Sequence, residues 1–349
     1  MITTVSCNRC FYLFWIKKYG SILLLVLFFQ PLFAQTTDSS KWWHNKEREL
    51  RYHPEGNDIV ITNGKRRFTR ALYGTNTAFR VEAGDLPEFA IYMPGMGGNI
   101  KFGLVNGDSC KWLIKVEKIT ARYRAGSMLY EIEDAMLGKG KMYLTILAMA
   151  DTEGMIIRVV AKDISADVKL VWVYGGASGK KFNRDGDMGP DPESSFYLKP
   201  ENCVDNNYSL YGNSFLLKYG TGVVAEWDPY VNKNFATDTV AAVKIGTEQR
   251  MAGIAPPSSG IHIANAAEQF SPLLLYQSGK SKTPVVTGTF NVSSNEPYFF
   301  AFQKPGDEKI ISYEMMPALF DLAEGARKKI RFIAAYIKSS GYYRCFTFS

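Results

Sequence analysis

A chain of 349 residues with 46% hydrophobic and 21% charged side chains is long enough for one large or two ordinary domains and too apolar for a disordered protein. The formal net charge of +7 misdescribes its body. Residues 1–34 carry Arg9, Lys17 and Lys18 without a carboxylate, residues 331–349 carry Arg331, Lys338 and Arg344 likewise, and the remainder lies near +1, which excludes a nucleic-acid footprint.

The chain opens on an export signal. Lys17-Lys18 precede the apolar run SILLLVLFF at 21–29, and Ala34 offers a small residue for cleavage, so residues 1–34 read as a signal peptide and Gln35 as the mature start. The run is too short to span a bilayer comfortably, and polar residues follow at once. The expected location is periplasmic or extracellular, with no membrane association after cleavage. Trp42-Trp43-His44 read as a first strand that packs its aromatics, with stacking on a sugar face as the alternative.

From Arg51 onward short β pieces alternate with turn signals. Residues 58–62 alternate, Asn63-Gly64 offers the positive φ of a two-residue turn, and residues 66–72 return as the second strand of a hairpin. On this reading Lys65-Arg66-Arg67, a short basic cluster, is a solvated hairpin tip. Phe79, Val81, Phe89, Ile91 and Tyr92 continue the β pattern, and Gly95-Met96-Gly97-Gly98 reads as a loop. Further strands are expected at 111–116, 120–124, 128–136, 142–149, 155–162 and 168–174. This is the meander spacing of a β-sandwich.

Residues 175–207 break the pattern with a long polar stretch, read as a hydrated acidic loop of the length that often forms lids or binding rims. Asp185-Gly186-Asp187 resembles a fragment of a calcium loop, but the alternation of oxygen ligands that closes on a distant Glu is absent, so no metal is assigned. Strands are expected again at 214–218, 223–227, 240–245, 273–277, 287–292 and 298–303. The period then switches. Pro317 suits a first helical turn, and Leu319, Leu322, Ala326, Ile330 and Ile333 recur at three- to four-residue spacing as one amphipathic helix. Residues 339–349 differ in character from the body and read as an atypical tail, out of frame with it.

The chemistry is sparse. His44, His53 and His262 lie in separate segments without zinc-site spacing, and no nucleophile-elbow or phosphate-loop pattern occurs, so no cofactor is assigned. Cys7 and Cys10 fall in the leader. Cys110, Cys203 and Cys345 form neither a metal set nor a disulfide framework, and a Cys110–Cys203 bridge and free thiols both stay open. Paired carboxylates remain, since glycoside hydrolysis needs only two acids flanking the bond. Asp85 and Glu88 stand three apart around Pro87, and the 175–207 stretch adds Asn183, Arg184, Asp185 and Asp187 as loop candidates. Trp112, Trp172, Tyr174, Trp227 and Tyr230 are candidate carbohydrate contacts, against the commoner role of such residues in a sandwich core.

Two long blocks carry a family resemblance. RYHPEGNDIVITNGKRRFTRALYGTNTAFRVEAGDLPEFAIYMPGMGGNIKFG and WVYGGASGKKFNRDGDMGPDPESSFYLKPENC are similar to the N-terminal part of a family of bacterial secreted proteins known as domain of unknown function 4450, over residues 43–329. That resemblance implies a β-supersandwich, a linker helix and then a helical toroid of the six-hairpin glycosidase type, acting in glycan breakdown. In such proteins the toroid supplies the catalytic acids. This sequence stops just past the helix, so catalysis by it alone is not expected, and a helical domain is expected downstream in a longer version.

The expectation is therefore a mostly β protein, a large antiparallel β-sandwich followed by one C-terminal linker helix. Its organisation is signal 1–34, sandwich 35–313, helix 314–338 and tail 339–349. Its role is the sandwich part of a secreted glycoside-hydrolase-like protein with a glycan as partner, or else a stand-alone carbohydrate-binding or partner-docking domain.

Overall fold

The computed structural model describes residues 42–43, 46–47, 51–93, 96–178, 193–204, 206–218, 250–306 and 312–339, with side chains in the last segment through Lys328. The chain divides into two units, residues 1–50 and 51–349. In the first, β1 (Trp42–Trp43) pairs antiparallel with β2 (Lys46–Glu47).

The second unit is built from two antiparallel sheets. One has ten strands. Its centre is a meander of β10 (Lys118–Arg124), β11 (Ser127–Glu133), β12 (Lys141–Ala148) and β13 (Gly154–Lys162). On one side it continues through β4 (Asp58–Thr62) to β3 (His53–Glu55). On the other it runs through β20 (Pro297–Gln303), β17 (Arg250–Ile254) and β16 (Ser214–Lys218) to β15 (Asn207–Tyr211).

The other sheet has eight strands. It runs from β18 (His262–Asn265) through β19 (Pro284–Asn291), β14 (Lys169–Ser178), β8 (Met96–Asn106), β7 (Glu88–Met93) and β6 (Arg80–Ala83) to β5 (Arg70–Leu72), and β9 (Ser109–Trp112) folds back on β8.

Alternation along these strands sends every second side chain inward. Phe89, Ile91, Ile100, Phe102, Leu170, Trp172 and Tyr174 of the eight-stranded sheet meet Met128, Tyr130, Leu144, Ile146, Ile157, Phe300 and Phe302 of the ten-stranded sheet in one continuous core. Rings interlock across the gap. Phe102 and Trp172 set their edges on Phe300 at 5.1 and 5.7 Å, and Tyr174 stacks on Phe302 at 4.7 Å. The architecture is the expected mostly β sandwich.

The outer face of the ten-stranded sheet is covered by a helix. Two α-helices occur among the described residues, α1 (Pro272–Gln277) and α2 (Met316–Ser339). Met316, Phe320 and Ala323 of α2 are buried against Leu147, Ile156, Ile254, Phe299 and Ala301. The Arg327 guanidinium donates from its Nη2 to the Ala148 carbonyl at 3.2 Å.

Several expectations are corrected. The Asn63-Gly64 turn is not a hairpin. Asn63 does hold a positive φ of 52°, but β5 pairs with β6 in the opposite sheet, and β4 turns tightly onto β3, with Gly56 at φ 61° in the turn. Asn63 serves the strand end instead: its Oδ1 accepts from Ile119 N–H at 2.9 Å, and its own N–H donates to the Ile119 carbonyl.

Residues 96–98 are not a loop; Gly97 and Gly98 continue β8 into a long strand paired with both β7 and β14. The strand expected at 111–116 ends at Trp112 and becomes a 3-10 turn, Leu113–Lys115. Residues 273–277 are helical rather than extended, because Ser271 accepts from Leu274 N–H and Pro272 occupies the first turn.

The apolar stripe of α2 is only partly as expected: Leu319 packs against the sheet, Leu322 does not, and the side chains of Ile330 and Ile333 lie outside those described. Its buried line is Met316, Phe320, Ala323 and Arg327, whereas Leu322 is 51% exposed. Of the stretch 175–207, residues 175–178 belong to β14 and residues 193–204 are not a hydrated loop, since Phe196, Leu198 and Cys203 pack onto the eight-stranded sheet, while residues 179–192 lie outside the described residues. The expected strands at 223–227 and 240–245, the signal peptide and residues 340–349 lie outside the described residues.

Candidate functional site

The outer face of the eight-stranded sheet is where polar chemistry collects. Phe89 and Ile91 point inward, so Glu88, Ala90 and Tyr92 point outward. On β8 the same alternation turns Asn99 and Lys101 outward, and on β6 it turns Arg80 and Glu82 outward. Such a row would ordinarily face water. Here it is covered by residues 66–68, 193–204 and 266–275, and all of these polar side chains are buried.

Register brings them together. Glu88 lies opposite Lys101, Ala90 opposite Asn99, and Arg80 opposite Tyr92. Asn99 donates from Nδ2 to Glu88 Oε1 at 2.9 Å and to the Phe196 carbonyl at 2.8 Å. The Arg67 guanidinium stands 3.2 Å from Glu88 Oε2 and lies over the Tyr197 ring at 4.4 Å.

Lys101 donates to Gln269 Oε1 at 2.9 Å and sits 5.6 Å from the Trp112 ring, while Gln269 donates to the Leu198 carbonyl. Burial pulls the Lys101 ammonium below the usual lysine range; Glu88 opposes that, and Arg67 and Lys115 add to it. Arg80 pairs with Glu82 and lies over the Tyr92 ring at 4.0 Å.

Asp85 belongs to the rim of this layer. Its Oδ1 accepts from the Tyr52 hydroxyl at 2.9 Å and its Oδ2 from Arg66 N–H at 3.1 Å. The neighbouring Gly84 is required: a Cβ there would lie 2.1 Å from the Arg67 carbonyl. That close approach lets Arg67 reach Glu88. Lys65 and Arg66 are exposed, as expected of a solvated cluster, but they do not tip a hairpin, Arg66 reaches Glu193, and Arg67 is only partly exposed beside Glu88.

The sequence candidates divide sharply. Glu88 and Trp112 are brought into one layer with Lys101 between them. Neither Asp85 nor Glu88 is presented to a ligand, because both are enclosed and bonded within the chain. Trp172 and Tyr174 have no exposed surface and lie in the inter-sheet core; Trp112 is 3% exposed and donates from Nε1 to the Gln269 carbonyl at 2.9 Å. As sugar platforms these three are corrected to interior side chains. Trp227, Tyr230, Asn183, Arg184, Asp185 and Asp187 lie outside the described residues.

Cys110 and Cys203 are both free thiols. Cys203 is buried and donates to the Lys199 carbonyl, and burial pushes its thiol up to about 12. Among the described residues no cluster of three or more His, Cys, Asp or Glu is placed to hold a metal. No described helix is long and apolar enough to cross a membrane.

Asn99, Lys101 and Gln269 were invisible as a set in the sequence. The one available signal was polar alternation at 88, 92, 99 and 101, which by itself describes a solvent face.

Comparison with known proteins settles the family. The sequence matches the family described as Domain of unknown function (DUF4450) over residues 93–324, from the end of β7 into α2. The chain belongs to that family. No curated protein matches it. Among solved structures it is similar to a bacterial glucoamylase complexed with acarbose, at 10% sequence identity and a TM-score of 0.38. That likeness covers 79% of this chain and 37% of the glucoamylase chain, so this DUF4450 member spans well under half of that structure's length.

Proposed function

We propose that this DUF4450 chain is the β-sandwich part of an exported, glycan-processing protein, and that it supports glycan breakdown rather than cleaving bonds itself. The observation that carries the supporting role is the state of Asp85 and Glu88. Both are buried, and their oxygens are committed to Tyr52, Arg66, Arg67 and Asn99. A general acid and its partner must reach a scissile bond from two sides, and these two reach only their own chain. The glycan class is supported by the resemblance of the two sequence blocks to six-hairpin glycosidase-like proteins, and export by residues 1–34.

A glycan array probed with the mature chain tests this reading, alongside N-terminal sequencing of the exported product. Binding to a polysaccharide and a start at Gln35 are expected. A chain that binds no glycan and stays in the cytoplasm with Met1 in place contradicts it.

One observation favours a second reading, a partner-docking domain. Leu322 and Met315 are 51% and 54% exposed beside the covered face of α2. Co-purification with a partner, lost on Leu322→Asp, would support that reading over the first.

A further inference from the structure

We propose that the small cavity between strands β8 and β14 and residues 195–203 binds one ordered water molecule, held by Asn99 Oδ1 and Asn202 Nδ2. This inference is independent of the glycan reading and rests on size and on hydrogen-bond accounting. The cavity has a volume of about 10 Å³ and is lined by Gly98, Asn99, Gly175, Phe196, Leu198 and Asn202 among others. Its floor is bare backbone. Gly175 lies opposite Asn99 in the sheet, and a Cβ on it would come within 2.1 Å of Leu198 Cδ1. The covering segment therefore sits directly on the strands, and the space between them is what one water needs, about 10–15 Å³.

Two buried side-chain atoms of the lining residues have no hydrogen-bond partner, Asn99 Oδ1 and Asn202 Nδ2. The orientation of the Asn99 amide is fixed by its other atom. Nδ2 donates to Glu88 Oε1 at 2.9 Å and to the Phe196 carbonyl at 2.8 Å, both of them acceptors, so Oδ1 is left to accept. Asn99 is 3% exposed, so bulk solvent does not serve that oxygen.

The groups around Asn202 are already engaged. The Phe196 carbonyl accepts from Asn99, the Leu198 carbonyl from Gln269 at 2.8 Å, and the Lys199 carbonyl from the backbone N–H of Asn202 at 3.0 Å. On the floor, Gly176 N–H donates to the Tyr208 hydroxyl, and the Gly176 carbonyl accepts from Asn206 Nδ2 at 2.9 Å. Buried polar groups find partners in the protein or in ordered water. Here water is the partner that remains.

The donor and acceptor pattern selects the occupant. A cation would meet the hydrogens of Asn202 Nδ2, and an anion would meet the lone pairs of Asn99 Oδ1. A larger polar molecule exceeds the volume. Water donates to the oxygen and accepts from the nitrogen, and such a bridge is nearly as favourable as a direct hydrogen bond. It extends the contacts from Arg67 through Glu88 and Asn99 to the 3-10 turn Pro200–Cys203, so the water helps to fasten the cover to the sheet.

Two measurements test this. A crystal structure of the mature chain at atomic resolution is expected to show one water within about 2.7–3.2 Å of both Asn99 Oδ1 and Asn202 Nδ2. No density at that point, a peak at metal–oxygen distances, or an Asn202 amide bonded to the protein instead overturns the site. In solution, water-oxygen magnetic relaxation dispersion counts long-lived internal waters in wild type and in Asn202→Leu, with near-ultraviolet circular dichroism as the check of folding. The variant is expected to hold one such water fewer per molecule, and an unchanged count in a folded variant overturns the assignment. If Asn202→Leu does not fold, the wild-type crystal structure decides alone.

Discussion

Glu88 has no exposed surface, and the Arg67 guanidinium stands 3.2 Å from its Oε2. The pair joins the start of β7 to the segment that crosses between the sheets, and Asn99 extends it to the Phe196 carbonyl of the covering segment. Removing the cation leaves a carboxylate buried without its partner. Arg67→Ala is therefore expected to cost about 3–5 kcal/mol in urea unfolding. Arg67→Met with Glu88→Gln, which removes both charges together, is expected to recover much of that loss.

Trp172 separates a core role from a sugar-platform role. Its ring is fully buried, edge-on to Phe300 at 5.7 Å. Trp172→Ala is expected to destabilise the fold by about 3–5 kcal/mol and to lower the thermal midpoint markedly. Unchanged stability with lost glycan affinity would return Trp172 to the surface.

Asp134 gives the fold an acid limit. Burial pushes its carboxyl up, but the Lys111 ammonium at 2.7 Å and the N–H groups of Met136 and Glu117 outweigh that and hold it below the usual range. A carboxylate depressed on folding contributes stability that is fully present above its unfolded value, about 3.9, and is lost as pH falls through the folded value. Asp134→Asn is expected to lower stability by about 1–3 kcal/mol at pH 7 and to flatten the loss below pH 4. Urea midpoints measured across pH 2–7 check both.

Cys203 and Cys110 differ in access. With its thiol pushed up to about 12 and no exposed surface, Cys203 is expected to resist alkylation at pH 8 until the chain unfolds. Cys110, partly exposed and 3.1 Å from Ser271 Oγ, is expected to label in the folded state. Site-resolved mass spectrometry after timed iodoacetamide exposure distinguishes the two, and a recovered Cys110–Cys203 peptide pair would contradict the free-thiol structure.

The face of α2 is testable by a pair of substitutions. Phe320 is buried and meets Phe299 edge-on at 5.8 Å, so Phe320→Ala is expected to cost about 3–5 kcal/mol and to raise amide exchange along the helix. Leu322→Ala is expected to stay within about 0.5–1 kcal/mol of wild type. The reverse order would restore the stripe expected from sequence.

Local signals predicted local structure well. Asp58–Thr62 and Ser214–Lys218 emerge with the bounds their alternation implied, and the β12–β13 strands differ from expectation by a residue. What failed was long-range. Asn63 has the backbone conformation of a hairpin turn, but the strand after it is claimed by the opposite sheet, and nothing local announces that. Residues 273–277 form a short apolar run that periodicity cannot assign, and the Ser271 cap decided it. The polar layer was illegible for the same reason: Glu88, Asn99 and Lys101 have the spacing of a wet face, and they are buried by segments distant in sequence, around Arg67, Phe196 and Gln269.

The most direct test of the supporting role measures polysaccharide binding and reducing-sugar release in the same sample of the mature chain, for wild type and Glu88→Gln. The account predicts binding without sugar release in both, with Glu88→Gln changed only in stability. Sugar release by the wild type that Glu88→Gln abolishes, in a variant still folded, would contradict it and make Glu88 a catalytic acid.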